Sequence, residues 1–181
     1  MKIAITGHTA GIGQALAHKY ELEGHTIVGL SKREGHNIRN IPKICDQIAP
    51  CDVFVNNAQA GYAQTELLFE MANRWQGTKK HIIIISTMLT QTPTSSMPSL
   101  DIDAYRIQKI ALEETVKQLR NRHLGIKFTI VRPGNIATSP DKTVPPAADV
   151  NNWAGTLLDI FNLAKNNNLE IPEISLGPVY K

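Results

Sequence analysis

The sequence predicts a three-layer, doubly wound parallel α/β sheet. Three observations carry that prediction. Short runs rich in β-branched residues alternate with amphipathic helical stretches along the chain. The runs do not alternate cleanly between apolar and polar, as befits strands covered on both faces. A glycine-rich turn, Thr6-Gly7-His8-Thr9-Ala10-Gly11-Ile12-Gly13, follows the first run and opens the first helix.

The elements follow in order. Residues 2–6 read as a buried strand. Ile12, Ala15, Leu16, Lys19 and Tyr20 then recur at helical spacing, and Gly24 stops that helix. Residues 26–30 form a second strand. Only about ten residues, Ser31 to Asn40, separate it from a short helix at 41–49 opened by Pro42. A parallel crossover needs a dozen or more. The third strand of the usual doubly wound order, with its helix, is therefore reduced or absent. A strand at 52–55 precedes a helix at 64–76, which places Leu67, Leu68, Met71, Ala72 and Trp75 on one face. Met71 and Trp75 read as core or subunit contacts. Ile82–Ile85 form the next strand. The longest helix spans 102–123, with Asp101 as its cap and Gly125 as its stop. A strand at 127–131 leads to a last helix at about 150–165, capped by Asp149 and ended by Asn166-Asn167-Asn168. Ile171–Leu176 reads as a closing edge strand.

Composition narrows the function classes. The 181 residues suit a single domain, 1–181, with 42% hydrophobic and 19% charged residues. A net charge of +3 without a basic stripe gives no reason to expect a nucleic-acid partner. Cys45 and Cys51 fit neither a CxxC nor a zinc pattern and read as reduced thiols. The scattered histidines lack metal-ligand spacing, so no metal is expected. The apolar start Met1–Ile5 is too short for a leader, and Ile82–Ile85 is too short to cross a bilayer. A cytoplasmic protein without a membrane partner is expected.

Two segments carry chemistry. Gly7, Gly11 and Gly13 lie between a strand and a helix, where backbone amides and the helix dipole receive a pyrophosphate. Tyr105 and Lys109 stand one helical turn apart on a shared face. A nearby ammonium favours the phenolate and is expected to lower the phenol's pKa, readying it for proton transfer. Where strand two ends, Ser31-Lys32-Arg33 stands in place of the acid that would bind a ribose hydroxyl of NAD. A hydroxyl and two cations suit a 2′-phosphate, so NADP(H) is expected over NAD(H).

The glycine spacing T-G-x-x-x-G-x-G resembles that of the short-chain dehydrogenase/reductase family. Asn56-Asn57-Ala58 is similar to the family's asparagine-alanine segment, with Gln59 where glycine is usual. Tyr105-x-x-x-Lys109 resembles its active-site motif. Arg132-Pro133-Gly134-Asn135-Ile136-Ala137-Thr138 resembles its proline-glycine turn and following threonine near the nicotinamide. These four motifs occur in family order across most of the chain.

The resemblance implies a Rossmann-like fold and hydride transfer between a nicotinamide cofactor and a small carbonyl or alcohol. It assigns Tyr105 as acid/base and Lys109 as its tuner and ribose ligand. The third member is a hydroxyl after Ile85, either Thr87, which falls in the family's catalytic place, or Ser86. The cofactor-binding set becomes Gly7, His8, Thr9, Gly11, Ile12, Gly13, Ser31, Lys32, Arg33, Asn37, Ile38, Asn57, Ala58, Tyr105, Lys109, Pro133, Gly134, Ile136 and Thr138. Residues 36–38 are expected to loop over the adenine. The family's active-site asparagine has no good match, since its place falls near Gln59–Gly61 and Asn73 sits too close to a helix end. Gln91–Leu100 and Ser139–Ala148 are expected to set substrate choice. A homodimer or homotetramer pairing through helices 64–76 and 102–123 is also implied. Two alternatives stand beside this reading: a non-catalytic nucleotide-sensing protein on the same fold, and a nucleotide-sugar epimerase. The glycine spacing and small C-terminal region argue against the epimerase.

Overall fold

The computed structural model describes residues 1–92, 102–138 and 146–179. Six parallel strands form one sheet in the order β2-β1-β3-β4-β5-β8. They are β1 (Lys2–Thr6), β2 (Thr26–Leu30), β3 (Val53–Asn56), β4 (His81–Ile85), β5 (Lys127–Pro133) and β8 (Glu173–Leu176). The two-residue strands β6 (Ile136–Ala137) and β7 (Ala148–Asp149) pair separately. This is the doubly wound sheet the sequence predicts. No strand lies outside β2 among the described residues, in keeping with the short Ser31–Asn40 connection.

Helices cover both faces. The first core joins α2 (Ile41–Ile48), α3 (Ala63–Arg74) and α4 (Asp103–Asn121) to Ala4, Phe54, Ile82, Ile84 and Ile130 of the sheet. The second joins α1 (Gly11–Leu22) and α5 (Val150–Asn166) to Ile3, Ile5, Val55, Ile83 and Val131. Alternate residues of each strand therefore enter opposite cores, which explains the continuous apolar runs. The stripe Leu67, Leu68, Met71, Ala72 and Trp75 is buried as its spacing requires.

One connection departs from the rest. From β3 through α3 to β4, and from β4 through α4 to β5, the chain steps across the sheet over the first core. From β5 to β8 it steps the same way, but α5 lies on the opposite face. That crossover therefore has the opposite hand, an arrangement rare in parallel sheets.

The helix ends refine the sequence reading. Gly24, with φ +79°, ends α1, and Asp149 caps α5 by accepting from the amides of Asn151 and Asn152. At the end of α4 it is His123, with φ +49°, that first turns left-handed, two residues before Gly125. Asp101, expected to cap α4, lies outside the described residues. Ile102 occupies the cap position and gives no side-chain bond.

Candidate active site

The carboxyl ends of the strands gather the motif residues. The chain leaves β1 for β2 on one side, and β3 pairs on β1's other side, which creates a crevice between β1 and β3. Gly7 and Gly11, with φ +74° and +53°, shape the turn above it. Gly13 must lack a side chain, since a Cβ there would stand 2.3 Å from the Gly7 carbonyl oxygen. A Cβ on Gly11 would lie 3.2 Å from Thr138 Cβ, so the segment after β5 closes onto this loop.

The threonine that opens the glycine motif pins the crevice. Thr6 is fully buried, and its Oγ1 accepts from the backbone amides of Asn57 and Ala58, each at 3.0 Å. Asn57 Nδ2 donates back to the Thr6 carbonyl at 2.9 Å. The loops after β1 and β3 are thus locked together. No side chain caps the amino end of α1, and its first turn carries no acid. These free amides beside the glycine turn fit the pyrophosphate of a dinucleotide.

At the β2 end, Ser31 is buried. Its Oγ lies 2.8 Å from Thr9 Oγ1 and accepts from the Arg33 amide. Lys32 and Arg33 are exposed on a single 3-10 turn. Other members of the expected cofactor set point elsewhere. The His8 ring packs over Gly29, and its Nε2 lies 3.2 Å from a Glu34 carboxylate oxygen. Ile38 and Ile136 are buried in the two cores and Ile12 packs against the second. Asn37 accepts from the Arg39 amide and shapes the loop.

The residues expected to transfer a proton lie at the end of β4. The Thr87 hydroxyl lies close enough to the Tyr105 phenol to act on its pKa and accepts from the Leu89 amide at 3.3 Å, while Lys109 Nζ lies 5.6 Å from the Tyr105 ring centre. Ser86 points away and donates to the buried Glu113 carboxylate. Burial pushes the phenol of Tyr105 above its ordinary pKa, and the neighbouring Thr87 hydroxyl only partly opposes this. The expected lowering by Lys109 does not emerge, since burial and Thr87 alone set the shift, and the ammonium makes its hydrogen bonds elsewhere. It donates to Gln64 Oε1 and to the Ile85 carbonyl, both at 2.8 Å. Burial lowers its pKa to about 8, and Glu113 works in the other direction.

Gln64 takes up the space beside the lysine where no asparagine was found. It is buried, and its Nε2 donates to the carbonyls of Asn56 and Ile85 at 2.7 and 3.1 Å. Its sequence signal was a glutamine on the apolar stripe of α3. Glu113 had one too: Tyr105, Lys109 and Glu113 follow at four-residue steps along one helix face. Gly134 packs so closely on Met88 that a Cβ would stand 3.0 Å from its sulfur. The turn after β5 therefore abuts the turn after β4.

The expected substrate loops fall largely outside the described residues, at 93–101 and 139–145. A cavity of about 1220 Å³ opens at the opposite end of the sheet, around Ile3, Val53, His81 and Phe161. None of the motif residues lines it. No group of three or more potential metal ligands occurs among the described residues, and none of their helices is long and apolar enough to cross a membrane.

No protein-family model matches the sequence, and no curated protein matches it. Solved structures do match in fold. A short-chain dehydrogenase from Streptomyces avermitilis superposes with a TM-score of 0.70 at 20% identity, covering 97% of this chain and 88% of that one. One from Burkholderia cenocepacia, in complex with NADP, gives 0.75 at 14% identity over 98% and 88%. The chain has the short-chain dehydrogenase fold. An alcohol dehydrogenase from Thermococcus sibiricus, complexed with 5-hydroxy-NADP, gives 0.71 at 16% identity over 99% and 97%. The short-chain dehydrogenase fold thus accounts for nearly the whole chain.

Proposed function

We propose that the protein is an NADP(H)-dependent oxidoreductase acting on a small carbonyl or alcohol. The observation that carries this reading is the meeting of Tyr105, Thr87 and Lys109 at the carboxyl end of β4, on the same sheet edge as the uncapped glycine turn. A nicotinamide dinucleotide, when bound, supplies or accepts the hydride. Gly7, Gly11 and Gly13, with the α1 amides, hold its pyrophosphate. Ser31, Lys32 and Arg33 hold a 2′-phosphate. Thr87 Oγ1 donates a hydrogen bond to the reacting oxygen, and Tyr105 gives that oxygen its proton in reduction or removes it in oxidation. Lys109, placed by Gln64 and the Ile85 carbonyl, stabilises the phenolate electrostatically and orients the ribose. Burial holds the Tyr105 phenol in its protonated form, the form from which reduction starts.

Ser86 is left a structural part by its bond to Glu113. Pairing of copies through α3 and α4 is part of this reading, since Phe69, Ile107 and Ile110 are exposed there. The location is read as cytoplasmic. The test is NADPH oxidation against a panel of aldehydes and ketones, with NADPH binding measured in parallel. Turnover that Tyr105→Phe abolishes supports the reading. Tight NADPH binding without turnover on any member favours a nucleotide-sensing protein instead.

A further inference from the structure

Behind the proton-transfer group lies a buried ion network that the proposed reaction does not use directly. Glu113 and Arg132 are both nearly sealed from solvent, with side-chain exposures of 8% and 6%. Arg132 meets the Glu113 carboxylate with Nε at 3.0 and 3.1 Å and Nη2 at 2.8 Å, and its Nη1 reaches Glu173 at 2.9 Å. The two oxygens of Glu113 are not used alike. Oε1 also takes the hydroxyls of Ser86 and of Thr90, the latter at 2.9 Å.

Those two hydroxyls flank Thr87. Ser86 precedes it directly, and Thr90 follows it by one turn, its single hydroxyl proton shared between Glu113 Oε1 and the Thr87 carbonyl, each at 2.9 Å. Thr90 sits within the 3-10 turn Met88–Gln91, which Thr87 Oγ1 caps by accepting from the Leu89 amide at 3.3 Å and Arg106 Nε holds at the Leu89 carbonyl at 2.9 Å. Arg132 leads directly into Pro133-Gly134, the turn that abuts Met88. One carboxylate therefore grips both sides of the Thr87 turn and, through its cation, the neighbouring turn after β5. A buried pair is weak as a stabilising device, because well-packed apolar residues of the same volume serve as well. Its two hydroxyl ligands point to a task of placement.

We propose that Glu113 is a positioning residue: by holding Ser86 and Thr90 it fixes the Thr87 hydroxyl against Tyr105. This rests on the oxidoreductase reading above. Glu113→Gln leaves Arg132 underbalanced in the core and can fail to fold, so the hydroxyls carry the test. Thr90→Val and Ser86→Ala each remove one grip and leave the ion pair intact.

The experiment measures kcat and KM for NADPH in both variants, in Thr90→Ser, and in the same changes made on Thr87→Ala. The expected result is a kcat loss of roughly tenfold or more with KM nearly unchanged, since small misplacement of a reacting group is costly. Thr90→Ser should restore kcat, and the loss should vanish on the Thr87→Ala background. Wild-type kcat in both variants, or an equal loss with and without Thr87, overturns the proposal. Absence of turnover by the unaltered protein overturns the oxidoreductase reading, and the proposal with it.

Discussion

Lys109 Nζ donates to Gln64 Oε1 at 2.8 Å, deep beneath the end of β4. Gln64 is itself held by two backbone carbonyls, so the lysine meets an acceptor that cannot turn away. An amide carries no exchangeable charge, so this partner places the ammonium without relaying its proton. Gln64→Leu removes the acceptor and leaves a buried cation with the Ile85 carbonyl alone. We expect a stability loss of about 1–3 kcal/mol by urea denaturation, together with a lower Lys109 pKa. An unchanged midpoint and pH profile would contradict this placement.

Lys109 titrates at about 8 where an ordinary lysine titrates at 10.5. Its charged form is the one that stabilises a phenolate. We therefore expect kcat/KM for alcohol oxidation to lose the lysine's help as pH rises through about 8. Lys109→Met should lower the whole profile and remove that limb. A limb unchanged in Lys109→Met would assign it to another group.

Thr87 and Ser86 should separate cleanly. Thr87→Ala removes a donor to the reacting oxygen and should lower kcat by about 10²–10³-fold, with NADPH affinity retained. The loss in Ser86→Ala should be much smaller. The reverse order would move the hydroxyl role to Ser86.

Thr6 accepts two backbone amides inside the core, at 3.0 Å each. Thr6→Val keeps the shape and orphans both donors. Unfolding should become easier by about 2–6 kcal/mol, taking one desolvation penalty for each donor, and dinucleotide binding should weaken as the loops after β1 and β3 part. Thermal denaturation and NADPH titration read the two effects.

His81 links acid sensitivity to the fold. Thr129 spends its hydroxyl proton on the Ile171 carbonyl at 2.7 Å, so His81 Nε2 must donate to Thr129 Oγ1 at 2.9 Å. Burial lowers the imidazole from 6.5 to about 4. The folded state then holds fewer protons than the unfolded state between those values. Stability should fall as pH drops from 6.5 toward 4, by about 3 kcal/mol in all. His81→Gln should flatten that slope in urea midpoints taken across the window, and an unchanged slope would place the sensitivity elsewhere.

The strands and helices were legible in the sequence because each satisfies a local rule. The apolar runs, Gly24 and Asp149 need only their neighbours to be understood. The glycine turn and the Tyr105–Lys109 pair were legible for the same reason. The roles of Thr6 and Gln64 were not, because Thr6 stands in the glycine motif and Gln64 on an apolar stripe, and neither place tells what it binds. Their meaning lies in partners far along the chain: 51 residues from Thr6 to Asn57, and 45 from Gln64 to Lys109. Spacing alone could not separate the surroundings of Ser86 from those of Thr87, since adjacent residues leaving a strand face opposite sides. The pKa of Tyr105 needed burial, which spacing does not convey.

The central claim is proton transfer by Tyr105 coupled to hydride transfer. The most direct measurement is the rate of NADPH oxidation by the unaltered protein and by Tyr105→Phe, across one carbonyl panel at saturating NADPH. The account predicts turnover on at least one carbonyl, lost in Tyr105→Phe while NADPH still binds. Equal turnover in the two proteins, or none in either despite NADPH binding, would contradict it.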